Sequence, residues 1–409
     1  MNILIITQMY SQPDDSGDIK PTKTVNYFAK EWVAMGHRVV VMHCPSKFPY
    51  VYYLLPSSLK DKVSSRISTM IPPIESRRDL HRIENGVDVY RFPMLKFFPG
   101  QSFSQRQMRK QSAKICKIID HAGFEPDVVI GHFANPSAEL VRTIAEKYNA
   151  KSSIVFHHDC GKNKVKKYRL RENCAKIGAI GARSITEAKE VQTNLALREL
   201  PFICYSGVPN DAVKNVKIKC EKHDYCEGIR FIYVGSLINQ KHVDIVIRAF
   251  YQVAEPKDTL LIVGGGPEEG YLKRIVSELN LGVRVAFTGR VSRERVLSIM
   301  KKGHVFTLIS DGETYGMVYM EAMLQGCLTI ASRKGGFDGI IIDGKNGFIC
   351  NPGNEEELIG IYKRIRSMSE KERNNIGQNA IDTAIHYTEQ EVAAKYLNDV
   401  IDRNANHNV

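Results

Sequence analysis

The sequence predicts an α/β protein that is built from two domains with mostly parallel sheets. Short β-branched runs alternate with helical stretches along the whole chain, which is the pattern of parallel sheets covered by helices. With 409 residues, the chain is long enough for two substantial hydrophobic cores. The polar, lysine-rich stretch at 210–228 contains no apolar strand, so it predicts a linker between a domain at 1–209 and a domain at 229–385.

The N-terminal domain is predicted to contain seven strands. A helix is predicted at 22–35, because Pro21 lies near its start and Gly36 at its end. Residues 45–86 mix proline, serine and aromatic residues with weak periodicity, and a loop of that length usually carries a function. The strands are predicted at 2–7, 38–43, 87–92, 127–131, 152–156, 177–180 and 202–205.

The C-terminal domain repeats the same alternation of strands and helices. Its strands are predicted at 229–235, 260–264, 284–288, 305–310, 328–331 and 348–350. A break at 386–388 precedes a last helical stretch at 389–403. We expect the segment 386–409 to be a helix that crosses back to the N-terminal domain.

Composition argues against several classes of protein. Hydrophobic residues make up 43% of the chain and charged residues 25%, which is ordinary for a soluble globular protein. No apolar run approaches the roughly 20 residues of a membrane span, and a strand that starts at residue 2 predicts no signal peptide. The nine cysteines include no C-x-x-C pair and predict neither a disulfide framework nor a zinc site. We therefore expect a cytoplasmic protein with reduced thiols.

The net positive charge of the chain comes from its first half. Residues 1–205 hold 31 Lys and Arg against 19 Asp and Glu, whereas residues 206–409 hold 26 of each kind. The whole net charge of +12 therefore lies in the first half. Such a field favours anionic partners, which include phospholipids, lipid-linked phosphates and nucleic acids.

Two glutamates, Glu313 and Glu321, are the most informative polar residues. An apolar strand at 305–310 precedes them, and a helical pattern begins at Met317 between them. A helix N-terminus has unpaired N–H groups and the positive end of the helix dipole, so it suits a phosphate. With a carboxylate on either side, this site suits a nucleotide sugar, which has hydroxyls on both sides of its pyrophosphate.

The same two glutamates have other interpretations. They are either unrelated surface carboxylates or the acid and nucleophile of a glycosidase. Eight residues of continuous helix separate two backbones by roughly 12 Å, whereas a retaining glycosidase needs its two carboxyl groups about 5 Å apart. The spacing therefore disfavours hydrolytic chemistry by this pair.

Four further segments of the C-terminal domain follow predicted strands. Ligands of open α/β sheets bind at the carboxyl ends of the strands, where all four segments and both glutamates are expected. Glycines there allow sharp turns or a close approach to a ligand, and a lysine beside a glycine turn is well placed to meet a phosphate. The segments are Val234-Gly235-Ser236 with Lys241, Gly264-Gly265-Gly266-Pro267, Phe287-Thr288-Gly289-Arg290-Val291 and Lys334-Gly335-Gly336-Phe337.

These motifs, in this order, resemble those of the family 4 glycosyltransferases. The resemblance covers nearly the full chain and is strongest from Tyr233 to Gly347. It implies the GT-B fold, in which two Rossmann-like domains face each other across a cleft, and a retaining transferase that needs no metal or other cofactor. It further implies that Glu313 contacts the donor sugar, Glu321 the ribose and Lys241 the diphosphate. The other donor-site residues that it implies are Gly235, Ser236, Gly265, Arg290, Val291, Thr314, Tyr315, Gly316 and Met317.

The N-terminal half resembles the family more loosely. The family usually has a Gly-Gly loop after its first strand, and the counterpart here is Ser16 and Gly17, so one glycine is kept. Both residues are expected to border the donor. Ser236 stands where the family commonly has an arginine, and Arg290 is a candidate replacement for that missing cation.

Three polar residues follow strands of the N-terminal domain. His132 occupies the place of a family histidine that faces the substrate, which implies a catalytic role. Without the resemblance, a half-buried histidine bonded to backbone is an equally good interpretation. His158 and Asp159 end the next strand and are expected on the acceptor side. The adjacent histidines His157 and His158 predict no metal site, because no third ligand has a suitable spacing.

Basic residues form two concentrations in the N-terminal half. One is a stripe along a predicted helix, and the other lies between Lys162 and Arg171. Each is compatible with an ordinary solvated face, but the charge asymmetry favours an anionic membrane surface at the inner face of the cell membrane. No recognition motif for nucleic acid accompanies them. The stripe consists of Arg106, Arg109, Lys110, Lys114 and Lys117.

Taken together, these features favour a retaining hexosyl- or N-acetylhexosaminyl-transferase. Its expected donor is a nucleotide sugar, with UDP favoured, and its expected acceptor is a lipid-linked oligosaccharide in surface polysaccharide synthesis. Three alternatives stay open: a non-catalytic nucleotide-sugar-binding partner protein, an epimerase or phosphorylase of the same fold, and a membrane or nucleic-acid binding module. The departures from the family pattern at Ser16 and Ser236 favour the non-catalytic partner protein. A donor pocket with both glutamates argues against the membrane or nucleic-acid binding module.

Overall fold

The computed structural model describes residues 1–11, 23–54, 77–98, 100–214, 225–312 and 316–407. The chain divides into two compact units, and each is an α/β layer structure with a mostly or wholly parallel sheet, as the sequence predicts. The first unit comprises Met1–Arg183, Glu187–Cys204 and Val392–Val409, and the second comprises Ser184–Thr186 and Tyr205–Glu391.

Ten strands belong to the described residues of the first unit. They are β1 (Asn2–Thr7), β2 (Arg38–His43), β3 (Ser46–Lys47), β4 (Leu80–Glu84), β5 (Val87–Arg91), β6 (Met94–Leu95), β7 (Val128–His132), β8 (Lys151–Val155), β9 (Ala179–Ala182) and β10 (Phe202–Ile203). Eight of them form one sheet in the order β10-β9-β8-β7-β1-β2-β5-β4, in which only β4 is antiparallel to its neighbour. Strands β3 and β6 pair separately and in parallel. The carboxyl ends of β1 and β7 therefore lie side by side at the point where the strand order reverses.

The helices up to the second sheet are α1 (Thr24–Ala34), α2 (Gln105–His121), α3 (Ala134–Tyr148), α4 (Lys162–Lys167), α5 (Leu170–Cys174), α6 (Ile185–Leu195) and α7 (Asn210–Lys214). Helix α2 begins with a capping box, because Ser104 Oγ accepts from the Gln107 N–H and the Gln107 side chain accepts from the Ser104 N–H. Its apolar face, which includes Ile115 and Ile119, is buried in the core.

Every predicted strand is present, and no strand end differs from the prediction by more than two residues. Three strands were not predicted: β3, β4 and β6. Two of them have only two residues each, and β4 (Leu80–Glu84) is a half-exposed edge strand with three charged or imidazole side chains. The predicted linker contains helix α7 and a short 3-10 turn at Tyr225–Glu227.

In the second unit, six parallel strands form the sheet of the part that the structure describes. They are β11 (Arg230–Val234), β12 (Thr259–Val263), β13 (Val285–Phe287), β14 (Val305–Leu308), β15 (Leu328–Ser332) and β16 (Phe348–Cys350), and their order is β13-β12-β11-β14-β15-β16. This is the strand order of the dinucleotide-binding Rossmann fold, with its reversal between β11 and β14. The helices are α8 (Val243–Val253), α9 (Glu269–Glu278), α10 (Arg293–Lys302), α11 (Met317–Leu324), α12 (Glu355–Ser367) and α13 (Glu370–Ala384).

The last helix, α14 (Glu389–His407), leaves the second unit and belongs to the first from Val392 onward. The Trp32 indole donates a hydrogen bond to the Ala393 carbonyl at 2.9 Å. The ring of Tyr396, which is buried, packs against Phe28, Trp32 and Phe202. The C-terminal helix is therefore part of the hydrophobic core of the first unit.

Among the helices that the structure describes, none combines the length and the apolarity that crossing a lipid bilayer requires.

Candidate active site

The loops that follow β11 and β14 leave the second sheet at its point of reversal. The two strands pair in parallel, with Phe231 opposite Val305 and Ile232 opposite Phe306. Because helices from adjacent strands go to opposite faces at such a point, the carboxyl edge opens into a crevice there. Most of the predicted donor-site residues that the structure describes lie on the loops and helices that border this edge.

The glycine segment after β12 packs against the loop after β11. The Gly235 N–H donates to the Val263 carbonyl at 3.0 Å, and the Leu237 N–H donates to the Gly265 carbonyl at 3.2 Å. Gly264 has a φ of +139°, and a Cβ atom there would lie 1.8 Å from the Gly235 carbonyl oxygen. A Cβ atom on Gly266 would lie 2.3 Å from the Leu237 carbonyl oxygen. These glycines are therefore required because the two loops approach each other closely.

Lys241 lies in a 3-10 turn, Asn239–Lys241, beside the end of β14. Its Nζ atom is 3.4 Å from the hydroxyl of Ser310. The Asp311 N–H donates to the Gln240 carbonyl at 2.9 Å, and the Asp311 carboxylate is 2.8 Å from the His242 Nε2 atom. These contacts join the loops that follow β11 and β14. They place the Lys241 ammonium group where the strand order of the second sheet reverses.

Helix α11 follows β14 and begins after Gly316. This glycine has a φ of +62°, a left-handed conformation that favours glycine, and it directly precedes Met317 at the helix N-terminus. Glu313, Thr314 and Tyr315 lie outside the described residues. The predicted phosphate site is therefore described only at Gly316 and Met317.

Glu321 is nearly buried on α11, with 9% of its surface exposed. The Arg293 guanidinium donates to the Oε1 atom of Glu321 from Nε at 2.8 Å and from Nη2 at 2.7 Å. Burial raises the pKa of Glu321, and the charge and hydrogen bonds of Arg293 partly lower it. A carboxylate that is held in this way is a good acceptor for ligand hydroxyls.

Arg293 was not among the predicted site residues. It is the first residue of α10, after the helix cap formed by Ser292, whose Oγ accepts from the Arg295 N–H at 3.3 Å. Its position three residues after Arg290, one of the predicted donor-site residues, was an available signal. The sequence contained no signal for the pairing of Arg293 with Glu321, because the two residues lie 28 positions apart.

Arg290 and Val291 lie in the turn after β13. Gly289 bridges this turn to the glycine segment, because its carbonyl accepts from the Gly264 N–H at 2.9 Å. The Arg290 side chain is exposed and runs beside Gly265, where a Cβ atom would lie 3.5 Å from the Arg290 Cγ atom. Val291 is half-buried against the core. The structure thus brings Gly265 and Arg290 together, while Ser236 is exposed on the neighbouring loop.

His132, at the end of β7 in the first unit, is fully buried. Its Nδ1 atom is 3.0 Å from His157 Nε2, and its Nε2 atom is 3.4 Å from the Tyr396 hydroxyl. Burial, together with the nearby charge of Arg183, lowers the pKa of His132 to about 3, so the ring is neutral at neutral pH. The sequence anticipated neither of these two side-chain partners, His157 and Tyr396.

The residues after β8 surround this histidine pair. His157 is half-buried and stacks on Phe133 with ring centroids 4.0 Å apart. Both Asp159 oxygens accept backbone N–H groups, one from Ala134 and one from His157, while burial raises the pKa of its carboxyl group. His158 is exposed and has a positive φ of 56°. His157 is therefore the imidazole nearer the surface of the pair, backed by the buried His132.

Two other predictions concern the first unit. Ser16 and Gly17 lie outside the described residues. Over the ranges that the structure describes, no group of three or more His, Cys, Asp or Glu side chains is arranged to hold a metal ion.

The basic stripe lies on α2, as predicted, but one of its members differs from the rest. The Lys114 ammonium pairs with Asp79 at 2.5 Å and sits 4.0 Å from the centroid of the Phe92 ring. Its charge is therefore paired with a carboxylate of the first unit. The four members with exposed side chains are Arg106, Arg109, Lys110 and Lys117.

Comparison with known proteins finds a family match and related sequences. Residues 222–383 match the family model of the glycosyl transferases group 1. An uncharacterized glycosyltransferase of Methanocaldococcus jannaschii is 27% identical over 300 residues, which cover 72% of this chain and 78% of that protein. N-acetyl-alpha-D-glucosaminyl L-malate synthase of Bacillus anthracis is 29% identical over 153 residues, which cover 36% of this chain and 40% of that enzyme.

A solved structure matches the whole fold. Anabaena HepE in complex with UDP has a TM-score of 0.65 and 17% sequence identity, over 98% of this chain and 100% of that chain. The family match lies in the second unit, where Lys241, Glu321 and the glycine segment border the carboxyl edge of the sheet. Residues 222–383 therefore belong to the glycosyl transferases group 1 family, and the chain has the GT-B fold.

Proposed function

We propose that the protein transfers a hexosyl or N-acetylhexosaminyl group from a UDP-sugar to a lipid-linked saccharide, with retention at the anomeric carbon, in surface polysaccharide synthesis. The observation that carries this proposal is the placement of Lys241 and Glu321 on elements at the carboxyl edge of one Rossmann-like sheet. One supplies a cation for a diphosphate and the other a carboxylate for ribose hydroxyls. This pair of groups matches the two ends of a nucleoside diphosphate.

The nucleotide end of the donor is assigned to Glu321 and the turn after β13. A carboxylate oxygen that Arg293 does not contact can accept hydrogen bonds from the hydroxyls of a ribose. The backbone at Arg290 and Val291 is proposed to border the base. UDP is favoured as the nucleotide because Anabaena HepE, which shares the fold, was crystallised with UDP.

Leaving-group stabilisation is assigned to Lys241 and to the N-terminus of α11. Negative charge develops on the diphosphate as its bond to the sugar breaks, and preorganised donors that face this charge usually contribute most to catalysis. The backbone amides of 315–317 and the loop at Gly235 and Ser236 are proposed to complete this environment. Glu313 is proposed to orient the sugar through its hydroxyls.

The first unit is proposed to hold the acceptor. His158 and Asp159 follow β8, and the imidazole of His157 lies beside them with His132 behind it. Because His132 is buried, its proposed contribution is to orient His157 rather than to contact the acceptor. Ser16 and Gly17 are proposed to border the donor phosphates, and no metal or other cofactor is assigned to the reaction.

A lipid-linked acceptor is favoured by the distribution of charge. The whole formal excess of +12 lies in residues 1–205, and four exposed basic side chains follow one another along α2. Lipid phosphates at the inner face of the cell membrane are polyanionic partners for such a surface. A small polar acceptor is the alternative that the name of the Bacillus anthracis relative suggests.

The donor part is tested by calorimetric titration of UDP, GDP and ADP and their sugars. We expect one nucleotide to bind selectively, and Glu321→Ala and Lys241→Ala to weaken that binding. Lys301→Ala, which removes an exposed cation on α10, is the matched control and should bind as the wild type does. Binding of none of the nucleotides would contradict the proposed donor site.

The transfer itself is tested with the nucleotide sugar that binds. Polyprenyl-diphosphate-linked saccharides are compared with L-malate as acceptors, and the product is followed by mass spectrometry. Transfer to the lipid-linked saccharide alone supports the proposal, and transfer to malate alone contradicts it. Release of an epimerised sugar or a sugar phosphate without transfer would instead favour an epimerase or phosphorylase.

A further inference from the structure

Two neighbouring turns of the first unit expose large apolar side chains to solvent. The first turn follows β3 and the second follows β6. Their side chains are 56–83% exposed, which is unusual for aromatic and aliphatic residues of this size. We call them the apolar turns, and their exposed residues are Tyr50, Val51, Leu54, Phe97 and Phe98.

The strand pairing places the apolar turns side by side. Strand β3 continues from β2 and β6 continues from β5, and the Met94 N–H donates to the Pro45 carbonyl at 2.8 Å. The Lys96 N–H donates to the Lys47 carbonyl at 2.9 Å. Both turns therefore start from paired backbone, and both project beyond the carboxyl edge of the main sheet because their strands are parallel.

Specific contacts hold the turns in their exposed conformation. The Arg77 guanidinium lies 3.8 Å from the centroid of the Tyr50 ring. The Phe97 N–H donates to the Gln101 side chain at 2.6 Å, and Lys167 of α4 donates to the Gly100 carbonyl. The phenylalanine rings therefore protrude from an anchored backbone.

The chain around the second apolar turn carries only positive charge. From residue 89 to residue 119 there is no aspartate or glutamate, and seven residues are lysine or arginine. The exposed Arg106 lies on the first turn of α2, shortly after Phe98 in the sequence. Lys164 and Lys166 are exposed on α4, the helix that Lys167 ties to this turn. Exposed aromatic rings are thus flanked by cations on two helices.

We propose that the apolar turns insert into the headgroup region of an anionic lipid bilayer while the basic residues of α2 and α4 contact the lipid phosphates. Aromatic side chains are favourable at the boundary between headgroups and hydrocarbon, and basic residues beside them are attracted to anionic lipid. The inference rests on the proposed function, since a lipid-linked acceptor lies in that same layer. To the proposed function it adds the surface that contacts the membrane. It also adds an apolar contribution to membrane binding, which electrostatic attraction alone does not provide.

The test uses the full-length protein and sedimentation with two kinds of vesicle. One kind is pure phosphatidylcholine, and the other contains equal parts of phosphatidylglycerol and phosphatidylcholine. We expect binding to the anionic vesicles. The double variant Phe97→Ser/Phe98→Ser should weaken this binding by about tenfold or more, because it lacks the two phenyl rings whose transfer out of water favours binding. Val283→Ser, which removes an exposed valine of the second unit, is the matched control and should bind normally.

A spectroscopic variant reports insertion directly. Trp32 is the one tryptophan of the chain and is buried, so its emission is a constant background. The fluorescence emission of a Phe98→Trp variant should shift to shorter wavelength when the protein is mixed with anionic vesicles. Adding Arg109→Gln/Lys110→Gln to this variant should raise the lipid concentration at which the shift occurs. Titration of UDP in the same preparations reports on the donor site, so loss of vesicle binding with UDP binding retained separates the two proposals.

Three results would overturn the inference. The first is no binding to anionic vesicles at low salt. The second is binding that salt abolishes and that Phe97→Ser/Phe98→Ser leaves unchanged, because it would be electrostatic only. The third is a dimer in solution that Phe97→Ser/Phe98→Ser dissociates, because the apolar turns would then be an interface between copies of the chain.

Discussion

Arg293 donates both of its hydrogen bonds to a single oxygen of Glu321. The Nε and Nη2 atoms lie 2.8 and 2.7 Å from Oε1, and Oε2 has no hydrogen-bond partner among the residues that the structure describes. A guanidinium in this position favours the ionised carboxylate, which burial disfavours. It also leaves one oxygen available to a ligand hydroxyl. Arg293 is therefore a positioning residue for the proposed ribose site.

The first prediction is that Arg293→Gln makes nucleotide binding sensitive to acid. Without the guanidinium, the already raised pKa of Glu321 rises further, so more of the carboxyl group is protonated at a given pH. Nucleotide affinity, measured by calorimetry from pH 8 down to pH 5.5, should fall at a higher pH in the variant than in the wild type. Arg295→Gln, on the same helix and exposed, is the control. If Arg293→Gln lowered nucleotide affinity by the same factor at every pH, Arg293 would not act through the pKa of Glu321.

The second prediction concerns the close approach of the loops after β11 and β12. Gly264→Ala should destabilise the second unit by about 3 kcal/mol or more, because the new methyl group meets the Gly235 carbonyl and the φ of +139° is strained for alanine. Gly270→Ala is the matched control, since that glycine has open space around it on α9 and gains up to about 1 kcal/mol of helix propensity. Urea unfolding of both variants measures the difference. Equal stabilities would show that the loops can separate.

The parts of the fold that depend on local pattern were predictable from the sequence. Thirteen strands follow from β-branched runs, and the second sheet follows from their alternation with helices. Strands β3 and β6 were not predictable, because two residues carry no periodicity and their pairing depends on the path of β2 and β5. The fold of α14 onto the first unit was expected, but its anchors at Trp32 and Ala393 lie 361 residues apart.

The candidate site was predictable to a smaller degree. Lys241, Gly265, Arg290 and Glu321 lie on elements at one edge of the sheet, where motif order placed them. The partners of these residues were not predictable, because they come from other segments of the chain. His132 illustrates the difference: its place at a strand end follows from the sequence, whereas its complete burial depends on the Tyr396 ring from the last helix.

The third prediction concerns stability at low pH. The pKa of His132 is about 3 in the folded protein, against about 6.5 in the unfolded chain, so the unfolded chain binds the proton more readily. Stability from this group is fully present above pH 6.5 and is lost as the pH falls toward 3. Between pH 7.5 and pH 5.5 the loss is about 1.4 kcal/mol.

This prediction is measured by urea unfolding of the wild type and His132→Gln at the two pH values. The variant should lose less stability on acidification, whatever its stability at pH 7.5. Some acid sensitivity remains in the variant, because burial also holds the pKa of His157 well below its usual range. His121→Gln, at the exposed end of α2, is the control. An unchanged pH dependence in His132→Gln would mean that the imidazole is protonated without cost.

The fourth prediction is that Tyr396→Ala destabilises the first unit by about 3–5 kcal/mol. The ring is buried among Phe28, Trp32 and Phe202, so its removal leaves a cavity that rigid aromatic neighbours cannot fill.

Tyr396→Phe keeps the ring and removes only the hydroxyl near His132, which should cost about 1 kcal/mol. Chemical unfolding gives both values, and Tyr271→Ala, on the surface of α9, serves as the control. UDP binding should survive Tyr396→Ala below the unfolding transition, because Lys241 and Glu321 belong to the second unit. If Tyr396→Ala were as stable as the wild type, α14 would contribute no core to the first unit.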